Sequence, residues 1–299
     1  MLHAQEEEVV LHTPTGDLYG TLSVPEQKSG IPVALIIAGS GPTDRNGNNP
    51  LAGSNNSLKM LAELFVENGI AALRFDKRGI AASNKSLSSE ADVTFDTYIA
   101  DAKAWVEWLA KAPRFSGVII AGHSEGALIG MLAAADNREV KGYISIAGSG
   151  ENLATTLRRQ LAPQPEPIRA EAERIIDQLE AGEKVKEVSP LMQSLFRPSV
   201  QPFLISLFKY HPAKEIAKLT VPVLILQGTT DIQIKKEDAI LLSKGNPKAQ
   251  LVIVENMNHV LKECSTTDIH TQIATYGNPE LPLAPKFKER LSDFLLKLK

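Results

Sequence analysis

The sequence predicts an α/β fold: a mostly parallel sheet covered by helices on both faces, interrupted once by a helical insertion. Three observations predict it. Continuous apolar runs such as "PVALIIAG", "GVIIAG" and "VPVLILQG" have the composition of strands buried on both faces. Segments with helical apolar spacing separate these runs, and that alternation is what a parallel sheet needs. The alternation stops between about residues 151 and 210, where helical spacing and charge continue without a strand-like run.

The elements follow in order. "EEVVLHT" and "GDLYGTLSVP" are two strands joined by "PTG", an opening hairpin. "PVALIIAG" is a buried strand, followed by the loop "SGPTDRNGNNP". "SLKMLAELFVENG" is a helix with a glycine stop, and "IAALRFD" a strand. "TFDTYIADAKAWVEWLAK" is an amphipathic helix with Thr94 as its cap. "GVIIAGHS" is a strand, "EGALIGMLAAA" a helix and "VKGYISIAG" a strand. Within the interruption, "PEPIRAEAERIIDQLEAGEK" is the clearest helix. The alternation returns with "VPVLILQGTTD", "EDAILLSKG" and "QLVIVEN", and "APKFKERLSDFLLKL" closes the chain as a helix. The division expected is a core of residues 1–150 and 212–299 with an insertion of residues 151–211. An independent helical domain is the alternative, and about 60 residues inserted in a loop rarely fold alone.

Composition excludes several classes. The formal net charge of −3 is spread along the 299 residues with no basic stripe, so nucleic acid is not an expected partner. The single cysteine, Cys264, excludes an internal disulfide and a cysteine-based zinc site. No apolar run approaches the roughly 18 residues that span a bilayer, so no membrane partner is expected. "MLHAQEEEVV" has no apolar signal core, which points to a cytoplasmic protein. The polar "HAQEEE" is also what remains where an export signal has been removed, so the compartment stays open. Nothing in the sequence bears on oligomeric state.

Chemistry concentrates at Gly122-His123-Ser124-Glu125-Gly126, which matches G-x-S-x-G between a buried strand and a helix. In that context the serine sits on a strained turn as a nucleophile, and the flanking glycines relieve crowding. Close packing of a strand on a helix is the alternative use of such small residues. A serine hydroxyl needs a base. His3 and His12 lie in the N-terminal segment, His123 in the turn itself with its side chain expected to point away from Ser124, His211 before Pro212, and His270 in a polar stretch. His259, in "ENMNHVL", follows the strand "QLVIVEN" and emerges at the same sheet edge as Ser124. The base needs a carboxylate to fix its tautomer. Asp231 follows "VPVLILQGTT" at that edge, with Asp238 and Glu255 as rivals. The order Ser124, Asp231, His259 is the Ser…Asp…His order of one superfamily.

On these motifs the chain resembles the α/β-hydrolases that carry a helical cap, over nearly its full length. "IIAGSGPTDRNGNN" resembles the oxyanion-loop segment G-S-G-P-x-D-R-x-G-N of a group of bacterial carboxylesterases, and "RFDKRG" resembles the D-x-R-G turn. Ala38 stands where many relatives have His, and Ala81 where many have Gly. The resemblance implies oxyanion donors from the backbone N–H groups of Ser40 and Glu125. The Glu125 side chain suits a helix N-terminus and is expected to stabilise it. Asp44 and Arg45 are expected to form a local ion pair that braces the loop, and Asp76 and Arg78 to be structural.

The function expected is hydrolysis of carboxylic esters through an acyl-enzyme; the small "GSGP" residues, an enclosing cap and, in part, the family resemblance imply acyl groups of about two to eight carbons. The expected partner is a small-molecule ester, with no metal or cofactor. A small serine aminopeptidase or amidase is the alternative, and a binding protein on a hydrolase scaffold a more remote one. A haloalkane dehalogenase would need a carboxylate at position 124. The insertion is expected to lie over Ser124 and to line the substrate site through "LMQSLF" and "FLISLF", including Leu195 and Phe203.

Overall fold

Alternating burial along single strands decides the layering. The computed structural model describes residues 5–26 and 29–298, and His3 lies outside the described residues. In β3 (Ile31–Ile37), Val33, Leu35 and Ile37 join one apolar cluster while Ala34 and Ile36 join another. The same split divides Val118 and Ile120 from Ile119 and Ala121 in β5 (Phe115–His123), and Val223 and Ile225 from Leu224 and Leu226 in β7 (Val223–Gly228). A strand buried on both faces has no polar side to show, so its sequence reads as an unbroken apolar run.

The sheet has eight strands in the order β1-β2-β4-β3-β5-β6-β7-β8. The hairpin β1 (Gln5–Leu11) and β2 (Leu18–Val24) is antiparallel, and β2 also pairs antiparallel with β4 (Ala71–Phe75). From β4 onward all pairing is parallel, through β3, β5, β6 (Val140–Ile146), β7 and β8 (Gln250–Val254). Parallel strands deliver all their outgoing loops to one sheet edge. That edge receives the loops beginning at Ala38, Ser124, Thr229 and Glu255.

Helices α1 (Ser57–Glu67) and α11 (Pro285–Leu296) cover one face, contributing Leu58, Leu61, Phe65, Phe287 and Leu291. Helices α2 (Phe95–Ala110), α3 (Glu125–Ala134) and α9 (Lys236–Gly245) cover the other, with Phe95, Trp105, Ile129 and Leu242. The expected cap of α2 is present: Thr94 accepts from the Thr97 amide, and Thr97 reciprocates in a capping box.

Between β6 and β7 run α4 (Leu153–Leu161), α5 (Glu166–Glu180), α6 (Gln193–Phe196), α7 (Gln201–Leu207) and the short α8 (Pro212–Glu215). The first four gather an apolar cluster of their own, centred on Leu157, Ile175, Ile176, Leu179, Phe196 and Leu204. Leu207 of α7 joins the core cluster of the sheet, and polar and aromatic contacts add further ties. The Phe95 amide donates to Ser206 Oγ at 2.6 Å, and Phe203 packs edge-on against Phe95 and Tyr98. Arg197 forms an ion pair with Glu90.

Two readings of the sequence need correction. Arg45 does not pair with Asp44. Its guanidinium bonds Asp76 Oδ2 at 2.9–3.0 Å and Glu8 Oε2 at 2.8 Å, while Asp44 Oδ1 accepts from the amides of Asn46 and Asn48. The short Asp44 carboxylate is already held by its own turn, so the long arginine reaches the buried carboxylate of the D-x-R-G turn. The second correction is α10 (Ile269–Tyr276), which lies in a stretch read as merely polar. It buries Gln272, Thr275 and Tyr276 and leaves Ile269 and Ile273 more than half exposed, so the apolar spacing that signals a buried helix face is inverted.

Ala81 has φ 44°, in the left-handed region where a glycine would sit without strain. Ala81→Gly is expected to stabilise the fold by about 0.5–1 kcal/mol, relief of the left-handed penalty outweighing the added chain entropy. Thermal unfolding checks it, and an unchanged or lowered midpoint would count against strain at this turn.

Candidate active site

Ser124 occupies a backbone conformation that a serine rarely adopts, φ 55° and ψ −121°, between the last residue of β5 and the first of α3. Two glycines make that turn possible. A Cβ on Gly126 would stand 2.3 Å from the Ile37 carbonyl oxygen, and one on Gly122 would stand 2.2 Å from the Gly126 oxygen. No side chain fits in either gap, so α3 can start this close to β3 only with glycine at 126, and this close to β5 only with glycine at 122. Strain of this kind costs on the order of 1–3 kcal/mol and persists where the surroundings over-determine it. Here β5 pairing with β3 on one side and the Ser124 amide bond to Ile146 O of β6 at 2.9 Å on the other hold it.

His259 Nδ1 donates to Asp231 Oδ2 at 2.8 Å, and their side chains are 6% and 0% exposed. A carboxylate only accepts, so the proton is on Nδ1 and Nε2 is the free, basic nitrogen. Burial pushes the Asp231 carboxyl up, but His259 beside it and the amides of Ile234 and Gln233 more than offset this, and the group lies below the ordinary range. Those amides bond Oδ1 at 3.0 and 2.8 Å, and Gln227 Nε2 donates to Oδ2 at 3.0 Å. The rival carboxylates are elsewhere: Asp238 accepts from the Gly150 amide, and Glu255 is exposed.

Sequence reasoning missed what holds the two loops. Helix α10 presents its polar face to them. Thr275 Oγ1 accepts from Asn258 Nδ2 at 2.6 Å, Gln272 Nε2 donates to Thr230 O at 3.0 Å, and Tyr276 Oη accepts from Gln233 Nε2 at 3.1 Å. The helix thereby joins the loop carrying Asp231 to the loop carrying His259. The signal that could have found it is the cap Asp268, bonded to the Thr271 amide, with Gly277 eight residues beyond Ile269. Gln227 gave a second signal, a lone polar residue inside a buried strand.

His123 reaches the His259 loop. Its Nε2 donates to the His259 carbonyl oxygen at 2.8 Å, and the two rings pack with centroids 4.8 Å apart. Burial, with the neighbouring His259, pushes its pKa down to about 3, so it stays neutral and acts as a prop for the His259 backbone. The other histidines stand apart: His12 pairs with Asp17, and His211 and His270 are exposed.

Ser124 and Ser40 line two cavities. The smaller, about 110 Å³, also has His259, Gly39, Thr43, Asn55 and Tyr276 in its walls. The larger, about 580 Å³, is walled by leucines, among them Leu128 from α3 and Leu153, Leu157, Leu195, Leu204 and Leu207 from the stretch between β6 and β7. Phe203 is not in that wall. It lines a third cavity beside Lys77 and Glu125. Among the described residues, neither the Ser40 nor the Glu125 amide has a protein acceptor.

A family model described as serine aminopeptidase, S33, matches residues 51–263. The chain belongs to that family. The matched stretch of this family member contains Ser124, Asp231 and His259 and begins after the Gly39–Asn48 segment. It is also similar to Esterase EstD of Thermotoga maritima, 24% identical over 259 residues, which cover 82% of this chain and 58% of that protein. The chain therefore spans little more than half the length of the curated relative it matches. Among solved structures it is similar to Est1E of Butyrivibrio proteoclasticus with ferulic acid bound (TM-score 0.66, 20% identity, covering 97% of this chain and 98% of that one). It is similar, too, to the α/β hydrolase GrgF of Penicillium sp. sh18 (TM-score 0.65, 20% identity, 98% of each chain). At such identities the likeness shows the fold, and the fold of this S33 family member is that of the α/β-hydrolases. No helix among its described residues is long and apolar enough to cross a membrane.

Proposed function

We propose that this chain hydrolyses carboxylic esters through an acyl-enzyme, with Ser124 as nucleophile, His259 as base and Asp231 as the carboxylate that orients it. The observation that carries the reading is the strained Ser124 sharing a small cavity with a histidine whose Nδ1 is held by a buried carboxylate. Esterase EstD, by its name, supports the ester over the amide. In the reaction, His259 Nε2 takes the Ser124 proton as Oγ bonds to the ester carbon. The carbonyl oxygen becomes an oxyanion that the Ser40 and Glu125 amides receive. His259 then gives the proton to the leaving alkoxide, and water repeats the sequence to release the acid.

The proton must reach the leaving oxygen from His259, so the alcohol belongs in the small cavity that His259 lines. The acyl chain belongs in the leucine-lined one, under residues 151–211 acting as a cap. Each methylene buried there is worth about 0.8 kcal/mol, roughly fourfold in kcat/KM. Within the range of two to eight carbons, activity is therefore expected to climb from acetate to octanoate. Leu195→Ala is expected to flatten that climb with little change in unfolding temperature, because Leu195 is 39% exposed. Phe203→Ala is expected to lower stability instead, through its loss of contact with Phe95 and Tyr98. A Leu195→Ala variant that keeps the wild-type chain-length profile would argue against this chamber.

The aminopeptidase reading rests on the family description. It requires a free carboxylate at the site for the substrate's ammonium group. The two carboxylates lining the large cavity are both paired, Glu125 with Lys77 at 3.1 Å and Glu151 with Arg159 at 3.1 Å. A panel of p-nitrophenyl esters from acetate to palmitate, beside aminoacyl and dipeptide p-nitroanilides, tests both readings. Labelling of Ser124 by a fluorophosphonate with turnover of the shorter esters is the expected result. Faster cleavage of an anilide than of every ester would overturn the esterase, and a peak at palmitate would overturn the chain-length range.

A further inference from the structure

We propose that Lys77 is a positioning residue for the oxyanion hole, acting on both of its donors at once; this rests on the esterase reading above. Lys77 follows β4, the strand beside β3, and its side chain is 2% exposed. Its ammonium donates to the Gly39 carbonyl oxygen at 2.6 Å and to Glu125 Oε1 at 3.1 Å, and lies 5.0 Å from the centre of the Tyr98 ring.

The Gly39 carbonyl and the Ser40 N–H belong to one peptide unit. That unit is planar, and in the trans form its C=O and N–H point in opposite directions. A cation gripping the oxygen therefore fixes where the N–H points. The charge-assisted bond also polarises the amide, which makes the N–H a stronger donor. The second contact reaches the other donor residue. Glu125 carries the amide that follows the nucleophile, and its carboxylate lies in the walls of the large cavity beside Ser124. Left alone, that negative charge would oppose an oxyanion forming next to it. Lys77 cancels it and ties the start of α3 to the β3 loop. A buried ammonium is expensive to keep, and both of its hydrogen-bond acceptors belong to residues that line the cavities containing Ser124.

The bland alternative is that Lys77 serves only to neutralise Glu125. Wild type, Lys77→Met and Lys77→Met/Glu125→Gln separate the two. Each is assayed on p-nitrophenyl butyrate, with a trifluoromethyl ketone as the probe, since its adduct with serine carries an oxyanion. Removing a whole oxyanion donor costs about 10²–10³-fold in kcat, and loosening one is expected to cost about 10–100-fold. In Lys77→Met, kcat is expected to fall by that factor with KM within about threefold, the mark of an interaction made in the transition state. The trifluoromethyl ketone is expected to bind more weakly by the same factor as kcat/KM falls.

The double variant leaves no unpaired carboxylate, so its unfolding temperature is expected to return toward wild type while kcat stays low, because the Gly39 carbonyl is still ungripped. Recovery of both stability and kcat in the double variant would overturn the proposal, as would wild-type kcat in Lys77→Met. If Lys77→Met does not fold, the double variant alone decides by its kcat. A wild type that neither turns over esters nor reacts with a fluorophosphonate would instead sink the esterase reading.

Discussion

Ser124→Ala is expected to fold normally and to lose about 10⁴-fold or more in kcat on an activated ester, the loss seen when a triad member is removed. The Ser124 hydroxyl has no hydrogen-bond partner among the described residues, so removing it leaves no buried group unsatisfied. Alanine carries the same backbone strain, and the unfolding temperature should hardly move. Ser124→Gly makes the contrast. Glycine adopts φ 55° without penalty, so this variant should be inactive and more stable than wild type, by up to the roughly 1–3 kcal/mol that such strain stores. His259→Ala should do the same kinetic damage as Ser124→Ala, and the double variant should be hardly worse than either, because the pair acts as one unit. Wild-type turnover in purified Ser124→Ala would remove the nucleophile assignment.

Asp231→Asn is expected to cost about 10²–10⁴-fold in rate with the fold intact. The neighbours decide how the new amide sits. The backbone amides of Gln233 and Ile234 donate to Oδ1, so the asparagine must keep its oxygen there. Its NH₂ then faces His259 Nδ1 and Gln227 Nε2, both donors in the wild type. His259 can accept only by moving its proton to Nε2, the wrong tautomer for a base. Gln227 is left donor against donor. The loss should therefore appear in kcat, with KM little changed, and stability should fall modestly. Full activity in Asp231→Asn together with collapse in Glu255→Gln would transfer the role to the end of β8.

Most of the architecture was legible because burial has a period. Strands buried on both faces cannot alternate, helices against a sheet must repeat every three to four residues, and β3, β5, β7, α1, α2 and α11 each obey one rule or the other. Helix α10 breaks the rule. Its buried face is Gln272, Thr275 and Tyr276, chosen to bond the loops after β7 and β8, so a search for apolar spacing passes over it. The site divides in the same way. Ser124, Asp231 and His259 each stand just past a parallel strand, a position readable from the chain.

What the sequence by itself determined was therefore local: which segments are strands or helices, which edge the loops carrying Ser124, Asp231 and His259 leave from, and that Ser124 sits on a glycine-flanked turn. Only the tertiary structure decided the partners. Arg45 takes Asp76 and Glu8 over its chain neighbour Asp44, Gln227 joins Asp231, and Lys77 spans Gly39 and Glu125. The reason is physical. Periodicity reports which way a side chain faces, and that is set within a turn or a strand pair. A buried charge or amide must find whatever complementary atom the packed sheet brings within about 3 Å. For Lys77 that depends on β4 lying beside β3, and β3 beside β5, an order that brings its ammonium to Glu125, 48 positions along the chain.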